Sequence, residues 1–384
     1  MNLTKSASKI ARKLLYYPGW RSSRKIVVIE SDDWGSISLP GPDVFRELQS
    51  MGIDVESDPY CTYDGPAAPE DLRGLFTVLS SIHDRHGNHP VITANTVVAN
   101  PDFEKIRASN FETYHYRPFT ETLQQKTETA SSFDLWEEGM QNNLFRPQFH
   151  GREHLQIAPW MEALRRGNGL ALAAFNRGVF AVPFPGAHTA KRNDFRAAFD
   201  CETPVQLEQI AEIVSDGLSL FEQIFGYRSA SCIAPCYTWH SQLEPALAGH
   251  GISALQGIAF QKEPVLGKNR YKKRYHYTGK FNRLGQCYTV RNVFFEPSMS
   301  ESNAVVEQTL KRVGEVFKLN KPAIIGSHRL NYIGRMVKEN RERNLRSLDR
   351  LLNELVTTWP EIEFMSTDEL ATQIATDKTF NKNL

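Results

Sequence analysis

The sequence has few cysteines and no long apolar run, and these absences exclude several classes of protein. The five cysteines form an odd, dispersed set without a CxxC pair: Cys61, Cys201, Cys232, Cys236 and Cys287. This pattern favours neither a disulfide framework nor a thiolate zinc site, and it fits a reducing compartment. Charged residues or proline interrupt every hydrophobic run before it reaches the ~20 apolar residues of a membrane-spanning helix. We therefore expect no transmembrane span and a cytoplasmic location.

An excess of either charge is also missing. Lys and Arg number 45 against 44 Asp and Glu, which gives a net charge of +1 over 384 residues. This balance provides no general attraction to nucleic acid or to an anionic surface, so no nucleic-acid partner is expected. Residues 1–24 are basic but lack the continuous apolar segment of an export signal. We interpret them as a retained segment, with a docked terminal helix favoured over membrane contact.

What is present is an alternation of short strands and amphipathic helices. Strand-like runs lie at 26–29, 91–94, 231–234, 323–325 and 362–365. Helical spacing of apolar residues is found at 43–51, 69–83, 153–166, 206–225, 302–318 and 337–357. The alternation predicts an α/β fold whose parallel sheet, open or closed into a barrel, is covered by helices.

The chain shows no repeat, low-complexity tract or linker that would divide it. Residues 25–384 are therefore predicted to form a single domain. Two excursions from the alternating pattern, a polar one near 110–144 and a basic, tyrosine-rich one near 261–285, are expected to be insertions. Insertions of this kind in barrels often shape the substrate groove.

The strongest local motif is a hydrophobic strand that runs into two acids, IVVIESDDWG at 26–35. Parallel α/β folds place their active sites at the carboxyl ends of strands, where Asp32 and Asp33 are expected. One of the two carboxylates can bind a metal while the other acts as a base. The alternative is that the acids cap a helix or solvate a turn.

Histidines supply the two other motifs. His150 and His154 form an HxxxH pair, and imidazoles four residues apart on a helix can meet one cation. Together with one carboxylate they leave coordination positions open, as in catalytic metal sites, although chance spacing is the alternative among 11 histidines. His328 ends a late apolar strand, on the same side of the sheet as the acids. It is suited to protonating a departing amine, or else is a histidine satisfied by the core.

Taken in order from Ile26 to His328, these motifs resemble the polysaccharide deacetylase superfamily, which includes carbohydrate esterase family 4. The resemblance implies a distorted (β/α) barrel in which Asp32 is the base and His328 the general acid. It also implies a divalent ion, with zinc preferred, and the backbone amide of Tyr237 as part of an oxyanion hole. The implied metal ligands are Asp33, His150 and His154. The implied reaction removes acetyl groups from N-acetylated sugars, in a polysaccharide or a glycan precursor, as metal-activated water attacks the acetamide.

The sequence departs from the family pattern in three places. The third motif reads APCY at 234–237, so Ala234 stands where the family has an arginine that orients the catalytic aspartate. We expect Arg152, Arg228 or Arg329, or no residue, to take that task. Gly151 follows the first histidine, where serine or threonine is usual, and the gap before the histidine pair is long enough to indicate an insertion.

Two other functions remain open at this point. One is a carbohydrate-binding protein on a degenerate barrel, which the missing arginine suggests, and the other is a glycosidase that uses Asp32 in a carboxylate pair. Aromatic rings can stack on sugars, and the candidates are Trp34, Tyr60, Tyr237, Trp239 and His240. Core packing is the default interpretation for each, and Trp34 and Trp239 are the best exceptions because they flank the motifs. The cationic run at 268–274 is a solvated loop in the simpler interpretation, or a site for the phosphate or carboxylate of a glycan precursor. The sequence does not indicate the sugar or the oligomeric state.

Overall fold

A ten-stranded, mostly parallel sheet occupies the centre of the computed structural model. The structure describes residues 15–180, 182, 183, 194–300 and 304–382, so most of the predicted amino-terminal segment lies outside the described residues. The order of neighbouring strands is β10-β11-β7-β6-β5-β2-β1-β13-β12, and β14 pairs with the first half of β1. These strands are β1 Lys25–Trp34, β2 Ile92–Thr96, β5 Phe145–Phe149, β6 Ser231–Ile233, β7 Ala254–Gly257, β10 Lys280–Phe281, β11 Cys287–Val290, β12 Val293–Phe294, β13 Ala323–His328 and β14 Ile362–Met365.

Two hairpins lie outside this sheet. One joins β3 Ala99–Pro101 to β4 Tyr116–Pro118, and the other joins β8 Phe260–Val265 to β9 Lys268–Tyr275. The second hairpin occupies much of the predicted insertion near 261–285. The run at 268–274 is therefore a strand and not the expected loop, although most of its side chains are exposed, as expected.

Helices follow most strands, because their apolar residues recur every three or four positions and need a surface to cover. Their bounds are Pro42–Ser50, Pro59–Tyr63, Pro69–Ser80, Phe103–Ala108, Phe119–Gln124, Ser132–Gln141, Ile157–Arg165, Gly169–Phe175, Pro204–Phe225, Glu244–Gly249, Val305–Phe317, Lys338–Thr358 and Thr367–Lys382. In the largest apolar cluster, Leu72 and Leu75 of one helix and Leu351 of another are buried together with Ile325 of β13. None of the described helices is both long and apolar enough to cross a membrane.

One continuous segment joins the two ends of the sheet. Strand β11 pairs with β7, and β12, which follows two residues later, pairs with β13 at the other end of the strand order. Between them the Arg291 N–H donates to the Gly257 carbonyl at 2.9 Å and the Asn292 N–H to the Ile324 carbonyl at 3.1 Å. The sheet thereby closes on itself, and the predicted parallel α/β barrel is confirmed. The carboxyl ends of β1, β5, β6 and β13 meet at one rim.

Candidate active site

An irregularity at the end of β1 brings two neighbouring aspartates to one pocket. Successive strand residues normally face opposite sides of a sheet. Here the register with β2 shifts between Ser31 and Trp34, and Asp33 has a left-handed backbone with φ 72°. Bulges of this kind redirect side chains next to functional sites. Asp32 and Asp33, both buried, consequently line the same pocket of about 230 Å³ at the rim.

The HxxxH segment is an irregular loop that precedes the helix predicted at 153–166. The helix begins only at Ile157, whereas the His150 N–H donates to the Thr96 carbonyl at 2.8 Å, beyond the end of β5. Gly151 has φ 113°, and a Cβ there would lie 3.0 Å from the Glu153 carbonyl oxygen. A serine or threonine would be strained in this backbone. The departure from the family pattern at Gly151 therefore has a local structural cause.

His150, His154 and Asp33 converge on one point. Nε2 of each imidazole lies 3.4 Å from Oδ1 of Asp33, and the three potential ligand atoms are all within 4.8 Å of one another. A tetrahedral ion with bonds of about 2.1 Å separates its ligands by roughly 3.4 Å. The predicted ligand set is thus brought together at a spacing that suits a zinc-sized ion.

The histidines also present the right atoms. His150 Nδ1 lies 2.8 Å from the Ile233 carbonyl, which fixes the N–H on that nitrogen, and its buried Nε2 has no hydrogen-bond partner among the described residues. A backbone acceptor of this kind orients metal-binding histidines. Burial lowers the pKa of His154 to about 4, more than the nearby Asp33 charge raises it, so its imidazole is neutral at pH 7. Nε2 of His150 and the neutral imidazole of His154 are thus both suited to binding a metal ion.

Arg291, which the sequence analysis missed, orients Asp32. It donates from Nη1 to Oδ2 of Asp32 at 2.8 Å, from Nη2 to Oδ1 at 2.6 Å, and from Nε to Glu30 at 2.6 Å. Burial raises the pKa of the Asp32 carboxyl, but the charge and hydrogen bonds of Arg291 outweigh burial and hold it at about 2. Asp32 is therefore ionised and fixed in orientation.

The arginines expected at this task lie elsewhere. Arg152 pairs with Glu153 and Asp216, Arg228 with Glu222, and Arg329 with Asp64. Each of these three predictions is wrong. Arg291 lies in the segment between β11 and β12 that closes the barrel. It therefore contacts Asp32 from a different part of the chain than an arginine at position 234 would.

His328 lies beside Asp32 across the β1–β13 pairing, as predicted. Its Nδ1 is 2.6 Å from Oε1 of Glu296, and its Nε2 is 3.0 Å from the Tyr60 hydroxyl and 3.7 Å from Oδ2 of Asp32. Burial lowers the pKa of His328, but Glu296 and the aspartates more than compensate and raise it to about 9. The imidazole is therefore protonated at neutral pH and can donate a proton.

A strained turn positions Tyr237. Cys236 and Tyr237 have positive φ angles of 57° and 56°, which non-glycine residues seldom adopt. The turn places the Tyr237 hydroxyl 3.2 Å from Nη1 of Arg291. The Tyr237 N–H donates to the Ala234 carbonyl at 2.9 Å. The side chain thus contacts the arginine that holds Asp32, while the backbone amide already has an acceptor.

The aromatic residues favoured for sugar stacking belong to the core. Trp34 is 1% exposed and packs edge-on against Trp136 and Phe145. Trp239 is 4% exposed and stacks on His276. Core packing, the default interpretation, is confirmed for both, and stacking on sugar is not their role, because each ring is covered by the protein itself. The pocket is lined instead by groups that include Tyr60, Tyr237, Phe180, Arg196 and Lys262.

A sequence signal existed for the two residues that were missed. Arg291 and Glu296 flank a short run, NVFF, in which Val293 and Phe295 are buried. A short run of β-branched and aromatic residues that is bounded by polar residues is typical of a β-strand. The predicted strands do not include this run, so the sequence analysis does not place Arg291 and Glu296 at the rim.

No protein family model matches the chain, and no curated protein matches it. Several solved structures are similar in fold. A Mycobacterium smegmatis protein assigned as a polysaccharide deacetylase has a TM-score of 0.42 and 9% identity, with 94% of each chain covered. A Parabacteroides distasonis protein assigned as a glycoside hydrolase or deacetylase has a TM-score of 0.46 and 10% identity, with 93% of this chain and 72% of that chain covered.

A GH57-type branching enzyme of Pyrococcus horikoshii has a TM-score of 0.41 and 9% identity, with 90% of this chain and 69% of that chain covered. The structural neighbours thus include polysaccharide deacetylases, the superfamily that the sequence motifs resemble. At such low identities and scores, these likenesses carry no information about the reaction. The site's own geometry has to supply it.

Proposed function

We propose that the protein is a metal-dependent hydrolase that removes acetyl groups from N-acetylated sugars. One observation carries the proposal: a three-ligand cluster, an oriented carboxylate and an imidazole paired with a glutamate line one pocket. The three elements are Asp33 with His150 and His154, then Asp32, then His328. Amide hydrolysis needs an activated water, a proton acceptor and a proton donor for the leaving nitrogen. The pocket has a candidate for each.

The ion would be held by Asp33, His150 and His154, three ligands that leave coordination positions open. When bound, a divalent ion lowers the pKa of water and polarises a carbonyl oxygen. Zinc is the ion we propose, since imidazole nitrogen and carboxylate oxygen are among its usual ligands.

Asp32 is proposed to accept the proton of the attacking water. Its Oδ1 already receives hydrogen bonds from Asn95 at 2.7 Å and from Arg291 at 2.6 Å. Its Oδ2 receives one from Arg291 and lies on the side of His328. Oδ2 therefore keeps a lone pair available for a proton.

His328 is proposed to donate its Nε2 proton to the departing nitrogen, because an unprotonated amide anion is a poor leaving group. Glu296 accepts from Nδ1 and keeps the ring both oriented and charged. Without substrate, the Nε2 proton points to the Tyr60 hydroxyl oxygen at 3.0 Å. This hydrogen bond to Tyr60 must break when the substrate nitrogen takes the position of the acceptor. For the oxyanion, the Tyr237 amide would share its N–H between the Ala234 carbonyl and the substrate.

The geometry of the pocket favours the deacetylase over the two alternatives, a carbohydrate-binding protein and a glycosidase. The binding-protein hypothesis was motivated by a missing arginine, and the hydrogen bonds from Arg291 to Asp32 remove that motivation. A glycosidase needs two carboxylates that act on the sugar. Here Asp32 is paired with Arg291 and Glu296 with His328.

Acetate release from N-acetylated oligosaccharides tests the proposal. We expect purified protein with one bound ion to release acetate, and a chelator to abolish the release until zinc is restored. Asp32→Asn should lower kcat about 10²- to 10³-fold while metal content stays at one ion, whereas His154→Ala should lose the ion. Release of reducing sugar that a chelator does not affect would instead indicate the glycosidase. Protein that binds glycans without metal or turnover would indicate the binding protein.

A further inference from the structure

The hairpin β8–β9 contributes a lysine to the pocket, and the proposed reaction does not use this lysine. The side chain of Lys262, half-buried, lines the same pocket as Asp32 and Asp33. Its backbone is fixed there, because the Trp239 N–H donates to the Lys262 carbonyl at 3.2 Å and Thr238 forms a bridge with it. The cation therefore stands beside the turn that carries Tyr237.

This lysine has no acidic partner among the described residues. The hairpin register places Lys273 directly opposite Lys262, so two like charges share one face of the hairpin. Such a pair is destabilising by itself. On the other face, Glu263 accepts a hydrogen bond from Arg274 and balances its charge. Arg196, which also lines the pocket, is paired with Asp58. The positive charge of Lys262 and Lys273 on this face of the hairpin is thus available to bind an anionic ligand.

We propose that the substrate carries an anionic group, a carboxylate or a phosphate, which Lys262 binds at the pocket while Lys273 adds long-range attraction. This inference rests on the proposed function in that it specifies the class of N-acetylated sugar that enters the same site. An anion relieves the repulsion between the two lysines and gains a charge-assisted hydrogen bond in a partly desolvated position. Lys262 is then a specificity-determining residue, and it takes no part in bond breaking.

Binding of three small probes to the full-length protein tests this without turnover. The probes are N-acetylglucosamine, its 6-phosphate, and N-acetylmuramic acid, which carries a carboxylate. We expect at least one anionic probe to bind about tenfold more tightly than the neutral sugar at low salt. The advantage should shrink as salt rises. The anion that shows the advantage identifies which of the two groups the substrate carries.

The matched variants are Lys262→Met and Lys272→Met. Lys272 lies on the same hairpin but directly opposite Glu263, on the other face. Lys262→Met should reduce the ratio of anionic to neutral affinity to near one, and Lys272→Met should keep it. Thermal unfolding of both variants checks that they remain folded. Equal affinities in the wild type, or an unchanged ratio in Lys262→Met, would overturn the inference. Neither result touches acetate release, so the proposed function succeeds or fails separately.

Discussion

At the scale of single residues, the site depends on one buried guanidinium that serves two carboxylates. Arg291 and Glu30 have fully buried side chains, and that of Asp32 is 5% exposed. Burial raises the pKa of Glu30 more than Arg291 lowers it, whereas Arg291 prevails at Asp32. The shared cation thus favours ionisation of the residue at the pocket over that of the residue beneath it.

Replacing this arginine should affect both stability and activity. Arg291→Met leaves the buried carboxylates without their cation, which commonly costs about 3–5 kcal/mol. Arg291→Lys keeps the charge but cannot form the paired hydrogen bonds to Asp32. We expect Arg291→Lys to retain most of the stability in urea denaturation while acetate release falls at least tenfold. If Arg291→Lys keeps full activity, the paired hydrogen bonds do not position Asp32 for catalysis.

Glu296 should set the alkaline limit of activity. The pKa of His328 is raised from 6.5 to about 9, so kcat/KM should fall as pH rises through about 9 and the proton donor is lost. Glu296→Gln removes the charge that favours the imidazolium, and the alkaline limit should move to lower pH. The same shift affects folding: the charged pair stabilises the protein below the unfolded pKa, and this contribution disappears as pH rises through about 9.

A pH profile of kcat/KM for both forms checks this prediction. Glu307→Gln is the control, since Glu307 pairs with Arg350 on the surface and should leave the profile unchanged. An alkaline limit that stays in place in Glu296→Gln would show that His328 is not the group that titrates.

At the scale of elements, strand β13 accommodates Arg291 by having no side chain at Gly326. A Cβ there would lie 2.7 Å from Cδ of Arg291 and 3.0 Å from the ring of Phe294. Gly326→Ala should therefore push the guanidinium away from Asp32, lowering kcat at least tenfold and the melting temperature as well. Gly249→Ala is the control, because nothing lies within 4 Å of its Cβ position. Equal kcat values in the two variants would mean that β13 does not constrain Arg291.

The sequence predicts elements well where the strand or helix is also a buried unit. The predicted helices near 69–83, 206–225 and 337–357 agree with Pro69–Ser80, Pro204–Phe225 and Lys338–Thr358 to within three residues at each end. Spacing alone does not predict the geometry of the histidine pair. Both histidines precede the helix that begins at Ile157, so helical spacing plays no part, and Gly151 with φ 113° lies between them.

At the scale of the whole molecule, what could be predicted of the site depends on where its residues lie along the chain. Asp32, Asp33 and His328 follow recognisable apolar strands, so their convergence at one rim followed from the rule for parallel sheets. Arg291 and Glu296 come from the segment that closes the barrel. The NVFF run between them indicates a short strand, but its position at the rim depends on which strands become neighbours, and a local sequence pattern does not specify that.

The bound ion should also hold distant parts of the barrel together. Asp33 lies near the end of β1, whereas His150 and His154 follow β5, and β2 lies between those strands. An ion that binds only the folded chain stabilises it by about 2.7 kcal/mol at one hundred times its Kd. We expect chelation to lower the melting temperature by several degrees and zinc to restore it. His154→Ala should lose this response.

The matched control for that loss is an exposed histidine that lies outside the pocket, His83. His83 lies with its ring centroid 4.3 Å from that of His89, and adventitious zinc could bind between them. His83→Ala should therefore keep the full rise in melting temperature, because the ion that matters for folding sits at the rim. A rise that His83→Ala abolishes and His154→Ala preserves would place the stabilising ion on the surface, and the cluster of Asp33, His150 and His154 would then have no thermodynamic support as a metal site.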